Sequence, residues 1–254
     1  MESISALTVC YLCAAGFLAS LIDSVVGGGG LIAIPALMLT GLPPGIVLGT
    51  NKLASTMCTL TSTLSFIKSG KVDFKLVRYL FPFSIIGSFF GVYVIRQIPP
   101  DILQPLVIVL LIAVAIYTLV KKDWGDESKY KGITGKGIYL SIAVALLLGF
   151  YDGFFGPGTG SFLIFVFLVM GFDFVSAAGN AKVLNFSSNI AALVTFAATG
   201  LVNFQYGLIM GLAMVAGALV GTRLAIKKGA AYVRPLFISV TVILVGKQIW
   251  DYFS

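Results

Sequence analysis

Histidine is missing from this 254-residue chain, and charge of either sign is scarce, at 11% of residues. Without imidazole there is no histidine metal site and no histidine acid–base catalysis. Soluble domains carry about 25% charged residues. At less than half that share the charges are too few to coat a globule in water. Cysteine is limited to Cys10, Cys13 and Cys58, all in apolar stretches, and an odd number there argues against a disulfide framework. The three thiols are expected to be packing residues. No GxxxxGK[ST] run follows a strand-like segment, so nothing resembles an ATP-binding loop. The opening MESISALTVC has Glu2 where a signal peptide would be basic, so the first apolar segment is expected to stay in the protein.

Apolar residues dominate instead, at 58% of the chain with a mean hydropathy of +1.02. They come in runs of roughly 17–25, the length that crosses about 30 Å of hydrocarbon. The composition predicts an all-α polytopic membrane protein in a cell (inner or plasma) membrane, with lipid as its main neighbour. The net charge of +7 is therefore read as loop charge that orients the helices, not as a nucleic-acid surface.

The sequence also repeats itself. Displaced by 129 or 130 positions, Asp23 meets Asp152, Gly27 meets Gly156, Gly29 meets Gly158 and Asn51 meets Asn180. Further on, Gly70 meets Gly200, Phe74 meets Phe204, Gly87 meets Gly217 and Gly91 meets Gly221. Residues 1–120 and 138–254 are thus two copies, joined by a polar linker over 121–137. Each copy reads as five apolar segments: about 5–26, 31–41, 50–68, 76–96 and 102–120, then 138–155, 160–171, 178–198, 205–224 and 232–252. The second segment of each is too short to cross easily and is expected to be a half-helix or re-entrant piece.

Loop charge decides orientation. Lys68, Lys71, Lys75 and Arg78 follow segment three of the first copy, whereas TGLVNFQYG of the second carries no charge. After segment four the bias reverses, with Lys227, Lys228 and Arg234 in the second copy. All basic loops, the linker included, share one side if the repeats are inverted. That places the linker in the cytoplasm and both termini outside. Inverted repeats with interrupted helices near the midplane are typical of secondary transporters.

The interruptions are DSVVGGGG, from Asp23, and DGFFGPGTG, from Asp152. Glycine lets the chain break, and a helix that starts after the break points unpaired N–H groups and a positive dipole end inward. Such a start is an anion site. Pro157 fits the break, since it donates no N–H. Asp23 and Asp152 are the acids that lie away from termini, loops and linker, and Lys52 and Lys182 are the basic residues nearest the motifs. Ionisable groups at such depth mark pathways or coupling sites. Lys52 follows Asn51 directly but Lys182 lies two residues after Asn180, a difference of about 100° on a helix. The two lysines are therefore expected not to be equivalent, one of them snorkelling to an interface. Gly87, Gly91, Gly217 and Gly221 have the four-residue spacing of close helix packing.

These motifs (GGGG, IPAL and GTNK in the first copy, GFYDGFFGPGTGSF and NAKVLNFSSN in the second) resemble the TauE/SafE-type sulfite exporter family, and the resemblance runs over both copies. It implies an inner-membrane transporter of sulfur-containing or organic anions such as sulfite, sulfoacetate and sulfonates. The expected substrate-binding residues are Gly27, Gly28, Gly29, Gly30, Thr50, Asn51, Lys52, Gly156, Gly158, Thr159, Gly160, Asn180 and Lys182. Asn185 and Asn189 are further candidates. Asp23 or Asp152 is expected to couple transport to protons. No cofactor, metal, nucleic acid or enzymatic activity is expected, and a homo-oligomer is left open. The rival readings are an anion channel and a cation transporter using Asp23 and Asp152.

Overall fold

The computed structural model describes residues 4–99 and 136–228, with Asp101, Ile102, Pro105, Val109, Ser128, Tyr130 and Gly132 between them. Most of segment five of the first copy, all of segment five of the second and most of the linker lie outside the described residues. Within them the chain forms helices and no strand: α1 (Ala6–Val26), α2 (Gly30–Met38), α3 (Pro44–Lys68), α4 (Phe74–Ile95), α5 (Lys136–Phe154), α6 (Thr159–Val169), α7 (Phe174–Ala198) and α8 (Phe204–Lys228). Among these, α1, α4, α5, α7 and α8 are long and apolar enough to span a bilayer. The protein is a multi-pass, membrane-embedded helical protein.

Local chemistry sets the helix ends. Ser5 caps α1, and Asp73 and Asp173 cap α4 and α7 through backbone N–H groups two and three residues on. α3 instead starts on Pro44, which occupies a first-turn position where a missing N–H costs nothing. These signals begin α3 and α7 several residues before their apolar runs at 50 and 178. Burial by itself raises the Asp173 carboxyl, but the Ser176 hydroxyl and N–H, the Lys71 ammonium and the Val175 N–H outweigh it. The group is held below its ordinary value.

Packing pairs the copies across each other. α1 lies on α8 and α4 lies on α5, while α3 and α7 meet in the middle. The glycines spaced by four explain the first two contacts. A Cβ on Gly217 or Gly221 would meet the carbonyl oxygens of Phe17 and Leu21 at 2.3 Å. On Gly87 or Gly91 it would meet those of Leu146 and Phe150 at 2.1 Å. Backbone approaches backbone here, and rising numbers meet rising numbers, so each pair runs parallel.

α3 and α7 run antiparallel. The loop that follows α3 presents the Lys71 carbonyl to Gly179 and the Asp73 N–H to Asn180 Oδ1, 2.8 Å away, near the start of α7. The loop that follows α7 presents the Leu201 carbonyl to Gly49 and the Asn203 N–H to Thr50 Oγ1 at 2.9 Å, near the start of α3. α8 runs parallel to α3, with Gly207 on Leu53 and Gly211 on Met57. Lys227 and Lys228 at the end of α8 therefore sit at the same end of the molecule as Lys68, Lys71 and the start of α5.

Candidate functional site

Both glycine motifs break the helix where the sequence places them. α1 ends at Val26, and Gly27 and Gly28 take φ values of +75° and +93° before α2 starts at Gly30. α5 ends at Phe154, and Gly156 and Gly158 take +99° and +83° before α6 starts at Thr159. Side chains other than hydrogen are strained in that region, which is why glycine stands there. The two breaks lie against each other. Ser161 Oγ donates to the Val26 carbonyl at 2.8 Å, and a Cβ on Gly160 would come within 3.0 Å of the Gly27 Cα.

Around this meeting point the four deep charges pair crosswise. Lys52 Nζ donates to Asp152 Oδ1 at 2.9 Å, both side chains 2% exposed. Lys182 Nζ donates to Asp23 Oδ2, the lysine fully buried and the aspartate 14% exposed. Each copy thus supplies a cation to the other copy's anion. Asn185 Nδ2 lies 3.4 Å from Asp152 Oδ2. Asp23 has different company: the Gly29 N–H donates to its Oδ1 at 3.0 Å, and the Cys58 thiol lies 3.8 Å from its Oδ2. Ions taken out of water cost several kcal/mol each after relaxation, about, and stand only when paired and hydrogen-bonded.

A polar cavity of about 20 Å³ opens between the breaks, room for roughly one water. Asp23, Gly28, Gly29, Gly30, Asn51 and Lys52 line it from the first copy. Asp152, Gly156, Gly158 and Gly160 line it from the second.

The Sulfite exporter TauE/SafE family matches residues 12–247. The chain belongs to the TauE/SafE sulfite exporter family. It is 37% identical to a probable membrane transporter protein, ORF9, of Sinorhizobium sp, over 99% of this chain and 96% of that one. It is 35% identical to a probable membrane transporter protein of Haemophilus influenzae, over 93% and 92%. It is 34% identical to the probable membrane transporter protein YfcA of Escherichia coli K12, over 92% and 87%. No solved structure matches it.

Not every expected residue of this TauE/SafE chain reaches the cavity. Thr50 and Asn180 are buried but spend their side chains on the loop N–H groups of Asn203 and Asp73. Thr159 Oγ1 donates to the Gly156 carbonyl at 2.7 Å and steadies the break from within. Gly27 packs on Gly160 and Ser161, and Lys182 sits behind Asp23 rather than on the cavity wall.

The expected difference between the lysines is also corrected. α3 and α7 both span 25 residues and start 130 positions apart, at Pro44 and Phe174. Gly49 matches Gly179 on the same offset, so Thr50 matches Asn180, and Lys52 matches Lys182. Both lysines are buried ion-pair partners and neither snorkels. The sequence reading missed Ser20, Ser55, Cys58, Thr59 and Met214, which complete the cavity with Asn185 and Asn189. For Ser55, Cys58 and Thr59 the signal was available, since small or polar residues three, six and seven positions after Lys52 share its face of α3.

Proposed function

We propose that the chain is a secondary transporter of small anions, sulfur-containing or organic acids, working by alternating access. The observation that carries this reading is a pair of buried ammonium groups, one from each copy, beside a polar cavity walled by two broken helices. Helix starts and buried cations are the groups that bind small oxyanions. Family membership agrees, since the family is described by sulfite export. Both aspartates are already engaged by lysines, which disfavours a cation as cargo.

Alternation needs two states, and inverted repeats provide them by exchanging roles. The antiparallel course of α3 and α7 supports that arrangement. So does the parallel course of α1 with α8, because it puts the start of α1 at the end of the molecule where α3 also begins. On this reading α2, and likewise α6, carries the chain back to the end its copy entered by. The gathering of Lys68, Lys71, Lys227 and Lys228 at one end supports a cytoplasmic position for that end and for the linker, in a plasma membrane. A cavity of about 20 Å³ is smaller than a sulfonate, so in this reading loading separates the ion pairs and widens the site.

The test is counterflow of labelled sulfite, a sulfonate and a carboxylate in proteoliposomes. A transporter accumulates label against a gradient of unlabelled substrate; a pore equilibrates it. Lys52→Met and Lys182→Met are expected to abolish the accumulation. Wild-type rates for all three probes in both variants would overturn the proposal.

A further inference from the structure

We propose that Asp23 is a resident stand-in for the cargo: its carboxylate occupies the donors the anion needs and gives them up on taking a proton, so anion and proton bind together. The inference rests on the anion-site reading above.

The two ion pairs differ in what else holds the carboxylate. Asp152 is held by two side chains, Lys52 and Asn185, and is 2% exposed, against 14% for Asp23. Asp23 accepts the Gly29 N–H at 3.0 Å on Oδ1 and Lys182 on Oδ2. A backbone N–H at the start of a helix and a buried ammonium are the donors a small oxyanion would choose. Asp23 satisfies both with the protein's own anion. It also lines the cavity, whereas Lys182 does not, so an entering anion meets the Asp23 carboxylate before it meets Lys182.

The groups facing Asp23 are Lys182 from α7, the Cys58 thiol from α3, and the backbone of Gly29 and Gly160 from α2 and α6. From α8 the apolar Met214 lines the same cavity, and the next charged pair is Lys52 with Asp152. An anion arriving beside ionised Asp23 would put two negative charges on one ammonium. Protonation on an Asp23 oxygen, from water in the cavity, removes that repulsion and leaves Lys182 to the cargo. The exchange adds one anion and one proton, so a monovalent cargo loads without net charge. By linkage, apparent affinity falls with rising pH wherever the anion-bound protein holds one more proton than the anion-free protein.

The test uses the full chain in lipid and methanesulfonate, an anion that does not itself titrate in the range studied. Proton uptake on adding methanesulfonate is read with a pH indicator, and the protonated carboxyl by infrared difference spectra between about pH 8 and about pH 5. Wild type is expected to take up one proton per anion bound and to bind more weakly as pH rises. Asp23→Asn is expected to lose both the carboxyl band and the pH dependence while still binding methanesulfonate; Asp23→Glu keeps both. Binding by wild type without proton uptake, or pH dependence that survives in Asp23→Asn, overturns the inference and leaves the transporter reading intact. Should methanesulfonate not bind at all, the anion-site reading is what fails. The inference, which rests on that reading, is then overturned with it.

Discussion

Lys52–Asp152 and Lys182–Asp23 are one device built twice, and the copies have diverged. The first has carboxylate and ammonium both at 2% exposure, and both line the cavity. The second has its carboxylate on the cavity wall, with a helix-start N–H and a thiol beside it. The two pairs share one cavity and differ in what else holds the carboxylate, a side-chain amide beside Asp152 and a helix-start N–H beside Asp23. Like residues at matching positions therefore do not make equal sites.

The largest expected effect separates the two pairs directly. Lys52→Met leaves Asp152 buried without its counter-ion and should cost about 3–5 kcal/mol of stability. Lys182→Met leaves Asp23 with a backbone donor and some water, so its loss should be about 1–3 kcal/mol. Thermal unfolding of the two variants in detergent checks the order; equal losses would erase the distinction. Next come the close helix contacts. Gly91→Ala and Gly221→Ala each push a methyl to 2.1 and 2.3 Å from a carbonyl and should cost about 1–3 kcal/mol apiece. A neutral result in only one would show that the two crossings are not equivalent.

The loop anchors should be weaker. Thr50→Val and Asn180→Ala each orphan one loop N–H, at about 1 kcal/mol, in either copy alike. The smallest effect concerns acid. Asp173 caps α7 with a lowered carboxyl pKa, whereas Pro43 stands at the matching place before α3. The Asp173 contribution is complete above the unfolded value of about 4 and is lost as pH falls through the lower folded value. Asp173→Asn keeps the cap but removes this acid-sensitive term of at most about 1 kcal/mol, which melting curves against pH would show.

Much of the architecture could be read before any coordinates. Hydropathy located the helices within a few residues, because lipid demands an uninterrupted apolar length. The breaks were legible because glycine and proline act locally. Crosswise pairing was not, since no pattern within one copy says which lysine meets which aspartate. The lysine register failed for a definite reason. From Gly30 to Pro44 is 14 positions and from Thr159 to Phe174 is 15, so the extra residue falls between the start of the short helix and the start of the next. Matching Asn51 to Asn180 carried the earlier offset one helix too far. Cys58 was set aside as packing because its neighbour, Asp23, lies 35 residues away.

The parallel contacts of α1 with α8 and of α4 with α5 divide the molecule along a line the gene does not follow. Each of these contacts joins a helix of one copy to a helix of the other. Neither duplicate made alone would have a partner for its small-residue stripe.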